Sequence, residues 1–115
     1  MRIYWFLDGV YMSKNRRERI TNSFSQAMGG EIARLRREKL LSGRELVGVS
    51  QQQISRYENG ICDITIVMLC DLLLCLDTSL DAYFYFVSKR LGLYNPNLQT
   101  KFAFIFEKSG MSINN

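Results

Sequence analysis

Between Val49 and Gly60 the chain reads Ser50, Gln51, Gln52, Gln53, Ile54, Ser55, Arg56, Tyr57, Glu58 and Asn59, and several of these types recognise nucleobases. A glutamine amide can bond adenine bidentately, and an arginine guanidinium can bond the O6 and N7 edge of guanine. On a helix, Ile54 and Tyr57 share one face and can anchor it, while Gln51, Gln52, Ser55 and Arg56 lie on or near the other. Glutamine and arginine in the first two turns of a helix, entered through a tight turn, suit docking in a major groove. The competing reading is an ordinary polar face, since glutamine is a good helix former.

Catalytic chemistry finds little support. The chain has no histidine, which removes the commonest general base and metal ligand. It has no glycine-rich phosphate loop, no carboxylate pair and no cysteine in an electropositive setting, so an enzyme is not expected. Cys62, Cys70 and Cys75 are odd in number and lack CxxC spacing; Cys70 and Cys75 sit in an apolar run and read as small buried hydrophobes. Neither a disulfide framework nor a metal site is indicated, and no cofactor or small-molecule substrate is evident. No run reaches transmembrane length, and Asp8 interrupts the apolar start at Met1–Leu7, which is not a convincing signal peptide. A cytoplasmic, nucleoid-associated location follows.

The charge is unevenly spread. The formal +4 over 115 residues conceals nine basic against three acidic residues from Lys14 to Arg44. From Ile61 to Phe86 there are four aspartates and no basic residue. A cationic end and a mildly acidic end fit a domain that lays one face on a phosphate backbone, although a solvated helix face reads the same way. Arg16, Arg17 and Arg19 read either as a flexible arm to phosphates or as solubilising charge.

The elements that must hold the reading face are mostly helical. Phe24, Ala27, Met28, Ile32, Leu35 and Leu40 recur at helical spacing from Ser23 to Leu40, with Gly29 and Gly30 weakening the early part, so that the firm helix begins there. Ser42 with Glu45, and Ser50 with Gln53, have capping-box spacing and bracket a short second helix before the recognition helix. Asn59 and Gly60 stop the recognition helix. Thr65 caps a fourth helix to about Leu76, apolar nearly all round and expected in the middle of the core. Ser79 caps a short fifth helix with Leu80, Tyr83 and Phe84. Asn95, Pro96 and Asn97 read as a turn, and Phe102, Phe104 and Phe106 either line a dimer interface or fold back on the preceding helices. Residues 1–22 read as a poorly ordered extension, 23–86 as the DNA-binding domain and 87–115 as a C-terminal extension and dimerisation element.

From about Ile32 to Phe84 the chain resembles the lambda-repressor-like, Xre-type helix-turn-helix domains. Leu41-Ser42, Glu45-Leu46, Gly48-Val49-Ser50 and the run Ile54 to Gly60 carry the pattern, which closes with Leu69, Leu72, Leu76 and Ser79-Leu80-Asp81. The run Ser50–Glu58 is similar to the signature of MrpJ-type regulators, small enterobacterial proteins encoded with fimbrial operons that repress flagellar genes and adjust fimbrial expression. The resemblance implies an all-α, five-helix domain with N- and C-terminal extensions. It implies a transcriptional regulator that binds double-stranded DNA as a homodimer, with recognition helices about 34 Å apart. It places Gln51, Gln52, Ser55 and Arg56 at bases, Arg44, Ser50 and Asn59 at phosphates, and Arg36 with Glu58 in an internal ion pair. One departure stands out: Ser42 and Ser50 are eight residues apart, three fewer than the family pattern. Three residues of helix are worth about 4.5 Å and 300°. Leu46 and Val49 then cannot both keep their usual sites without readjustment. A degenerate relative, acting through protein contacts rather than DNA, is the alternative that follows.

Overall fold

A computed structural model describes the backbone of residues 4–7, 10–41, 46, 48–101 and 103, with side chains described from residue 22 onward within those ranges. The elements are β1 (Tyr4–Leu7), β2 (Val10–Ser13), α1 (Lys14–Glu38), α2 (Gln51–Glu58), α3 (Ile66–Cys75), α4 (Leu80–Tyr94) and α5 (Pro96–Lys101). The domain that carries the reading face is all-α. The leading segment, expected to be poorly ordered, contains an antiparallel pair in which Leu7 faces Val10 and Tyr4 faces Ser13.

α1 is the first correction. It is one helix of 25 residues beginning at Lys14, and Gly29 and Gly30 neither start nor break it. Its buried stripe of Ala27, Ile32 and Leu35 joins Leu46, Ile54, Leu69, Leu72, Leu76, Tyr83, Val87 and Leu91 in the core. Burying an aliphatic side chain of this size is worth about 1.5–3 kcal/mol.

A polar seam ties α1 to α4. The Glu31 carboxylate, 1% exposed, accepts from Arg34 at 2.9 Å and from Arg90 at 3.2 Å, so the buried charge is fully paired. Beside it the buried Tyr83 hydroxyl donates to the Met28 carbonyl at 2.8 Å. Burial above all, with the nearby Glu31 charge, pushes the Tyr83 phenol far above its ordinary range, while Arg90 opposes the shift.

The serine and threonine caps fall where their spacing places them. Ser50, Thr65 and Ser79 accept from the backbone N–H of Gln53, Met68 and Ala82, each at 3.1 Å. α3 departs from expectation. Leu69, Leu72 and Leu73 are buried, but Ile66, Val67 and Leu74 are exposed, Leu74 by 82%. Cys70 and Cys75 are exposed free thiols rather than core residues, and Cys62 is half-buried. α3 lies at the margin of the core, so only one of its apolar faces is covered. A helix apolar all round carries no moment to say which face that is.

The fifth helix of the sequence reading is α4, longer than expected, with Val87 and Leu91 buried along it. The boundary expected at residue 87 therefore falls inside a helix. Asn95 to Asn97 open α5 rather than a plain turn. Proline occupies the first helical position, where its missing N–H costs nothing, and the Leu98 N–H donates to Asn95 Oδ1 at 3.3 Å. Phe102, Phe104 and Phe106 lie outside the described residues. Among the described residues no helix is long and apolar enough to cross a membrane, and no cluster of His, Cys, Asp or Glu could hold a metal.

Candidate nucleic-acid interface

α2 has eight residues, about 12 Å of helix. It is entered from Gly48, whose φ of +67° is the left-handed conformation that glycine adopts without strain. Val49 N–H donates to the Leu46 carbonyl at 3.2 Å across this turn. Leu46 is fully buried and Val49 packs against the core. Both residues are thus accommodated despite the short Ser42–Ser50 interval. The expected second helix falls mainly on residues 42–45 and 47, outside the described residues, and so does Arg44.

The C-terminal end of α2 is closed by a Schellman arrangement. Ile61 N–H donates to the Arg56 carbonyl at 2.9 Å and Gly60 N–H to the Tyr57 carbonyl at 3.1 Å, with Gly60 at φ +72°. The Asn59 side-chain amide donates to the Ser55 carbonyl at 2.8 Å and to Ser55 Oγ at 3.3 Å. Asn59, expected at a phosphate, is exposed and completes the helix end in this state.

Ile54 is buried and Tyr57 half-buried, which fixes the roll of the helix. Gln51, Gln52, Ser55 and Arg56 are all exposed, as their spacing predicts. The side chains of Gln51, Gln52 and Arg56 make no hydrogen bond or ion pair with another described residue, so their polar groups are open to a ligand. Ser50 is exposed, and its hydroxyl is engaged as the N-cap. The remaining N–H groups of the first turn point out along the axis, where an anion is favoured.

Arg36 and Glu58 form the expected ion pair. Arg36 Nε and Nη2 reach the two Glu58 oxygens at 2.5 and 2.9 Å, and Nη1 donates to the Leu41 carbonyl at 3.0 Å. The Glu58 hydrogen bonds hold the Arg36 pKa above the ordinary arginine value, against a smaller opposing effect of burial. The pair removes one cation and the only carboxylate of α2 from the reading surface. Arg34 is likewise engaged, with Glu31 and Glu38, and lies 4.7 Å over the Phe86 ring. The cationic cluster read from sequence is therefore partly internal, while Arg37, Lys39 and Arg56 remain exposed.

Sequence reasoning missed the reason for Gly29. A Cβ at Gly29 would overlap the Tyr57 carbonyl oxygen and come within 3.0 Å of that of Glu58. α1 crosses the end of α2 at backbone contact, a requirement that helix propensity cannot signal.

The short turn, the capped α2 with its polar face outward and the helices packed behind it are what a helix-turn-helix domain presents around its recognition helix. Residues 32–83 match the family model described as helix-turn-helix. The match supports a DNA-binding regulator in general terms. No curated protein and no solved structure matches the chain.

Proposed function

We propose that this protein is a sequence-specific transcriptional regulator that inserts α2 into the major groove and acts in the cytoplasm without catalysing a reaction. The observation that carries this reading is the exposure of Gln51, Gln52, Ser55 and Arg56 on one capped helix, three of them uncommitted to any other described residue. Gln51, Gln52 and Arg56 take base edges, Ser55 lies beside them, and Ser50 and Arg44 take phosphates. A homodimer on a pseudo-palindrome presents two such helices about 34 Å apart. The similarity of Ser50–Glu58 to the MrpJ-type signature supports repression of flagellar genes and adjustment of fimbrial expression as the output.

The short Ser42–Ser50 interval and the exposed apolar residues of α3 favour a second reading, a regulator relative that works through protein contacts. Gel shifts against upstream regions of flagellar and fimbrial operons, at two salt concentrations, separate the two. The DNA reading expects preferred fragments whose binding survives competitor DNA and is lost on Gln52→Ala with the fold intact. A folded protein with no preference among fragments refutes it.

A further inference from the structure

The joint between α1 and the end of the recognition helix is built from bare backbone on both sides. From α1, the Cβ direction of Gly29 points into the last carbonyls of α2. From α2, a Cβ on Gly60 would meet the Cα, N and Cγ of Gln26, each at 3.0 Å. Side chains pin the same joint from either end. Arg36 pairs with Glu58, and the Ser25 hydroxyl donates to Asp63 in the segment after α2. Gly29 lies inside a regular helix at negative φ, so no left-handed backbone requires glycine there. What requires it is the approach of a second helix end.

We propose that Gly29 is a positioning residue for base readout: it sets how closely the end of α2 seats on α1, and so the tilt at which Gln51, Gln52, Ser55 and Arg56 leave the surface. This rests on the reading that those residues meet DNA. A methyl group at position 29 needs a separation of about 3.2 Å from the Tyr57 oxygen, so the helix end must move by on the order of 1 Å. Gln51 and Gln52 lie five to six residues from Tyr57, roughly 8–9 Å along the axis. A shift of that size at one end of so short a helix tilts it by several degrees. It carries the glutamines beyond the ~0.5 Å within which paired hydrogen bonds hold. Phosphate contacts tolerate such a shift because they depend chiefly on charge.

The neighbouring glycine is the control. A Cβ at Gly30 meets only the movable end of the Arg90 side chain, with Nη1 at 3.0 Å. The test takes the duplex that wild-type protein enriches from a random 20-bp pool, and a scrambled duplex of the same composition. Affinities for both are measured by fluorescence anisotropy at a temperature where circular dichroism shows each variant folded. Gly29→Ala is expected to weaken the enriched duplex at least tenfold, with less than a twofold change on the scrambled one and an unchanged salt slope. Gly30→Ala should change neither. Gly60→Asn, tolerant of the left-handed φ and approaching less closely, carries the test if Gly29→Ala does not fold; at least a threefold loss confined to the enriched duplex is expected. A folded Gly29→Ala, or in its place Gly60→Asn, with the wild-type ratio of affinities overturns the proposal. So does a parallel fall on both duplexes, which would mark a merely structural glycine. Failure of wild-type protein to enrich any duplex overturns the DNA reading and this proposal with it, and differs visibly from either result.

Discussion

Removing either partner of the Arg36–Glu58 pair should expose how firmly α2 is held. The side chains are 19% and 9% exposed, and the contact is bidentate, with Arg36 also bonded to the Leu41 carbonyl. Breaking a fully buried pair costs about 3–5 kcal/mol, and an exposed one little; this degree of exposure places Arg36→Met at about 2–3 kcal/mol. Glu58→Gln keeps the shape and one hydrogen bond, and should cost about 1–2 kcal/mol. Because the two changes remove the same interaction, the double variant should fall short of their sum by about 1–1.5 kcal/mol. Urea unfolding followed by circular dichroism measures all four corners, with unchanged m-values showing that the unfolded state is not the cause. The raised Arg36 pKa means that its contribution is present in full below the ordinary arginine value and lost only as pH climbs through the still higher folded one. The coupling should therefore be flat between pH 6 and 9. It should also survive 0.5 M salt, which screens exposed pairs. A coupling within about 0.3 kcal/mol of zero would refute the reasoning, because the pair would then be an ordinary surface contact.

Leu40 sits at φ +57° just past α1 with 90% of its surface exposed, so it pays left-handed strain without burying its side chain. Leu40→Gly should raise stability by about 1 kcal/mol, seen as a higher urea midpoint. Tyr83 has its folded pKa raised above the unfolded value near 10.0, so its contribution is complete below pH 10 and lost as pH rises beyond it. Melting temperatures should fall more steeply above pH 10 in the wild type than in Tyr83→Phe, which loses about 1 kcal/mol at neutral pH with the Met28 hydrogen bond. Cys70 and Cys75 should react with a thiol reagent in the native protein faster than half-buried Cys62, and Cys70→Ser with Cys75→Ser should change stability by less than about 0.5 kcal/mol each.

Features set by neighbours in the chain were legible beforehand. Ser50, Thr65 and Ser79 cap because a side-chain oxygen meets an N–H three residues on, and Gly60 stops α2 through its own φ. The reading face was legible for the same reason, since Ile54 fixes which side is covered. Features set by tertiary contact were not. Gly29 and Gly30 read as helix-weakening, whereas one of them admits another helix end and α1 runs through both. The apolar sequence of α3 gave no sign that Cys70, Leu74 and Cys75 would face outward, because every side of it looks alike. The β1–β2 pair had a local signal in Asp8-Gly9, a dipeptide favoured in hairpin turns. The apolar run Met1–Leu7 masks that signal, because Asp8 reads first as its interruption.

The claim that α2 reads bases is tested most directly by enriching a random duplex pool with wild-type protein and with a Gln51→Ala, Gln52→Ala, Arg56→Ala triple variant in parallel. The wild type should converge on one motif, while the triple variant, still folded on Ile54 and Arg36–Glu58, should keep only salt-sensitive binding without a motif. Convergence of both proteins on the same motif, or of neither on any, would contradict the account.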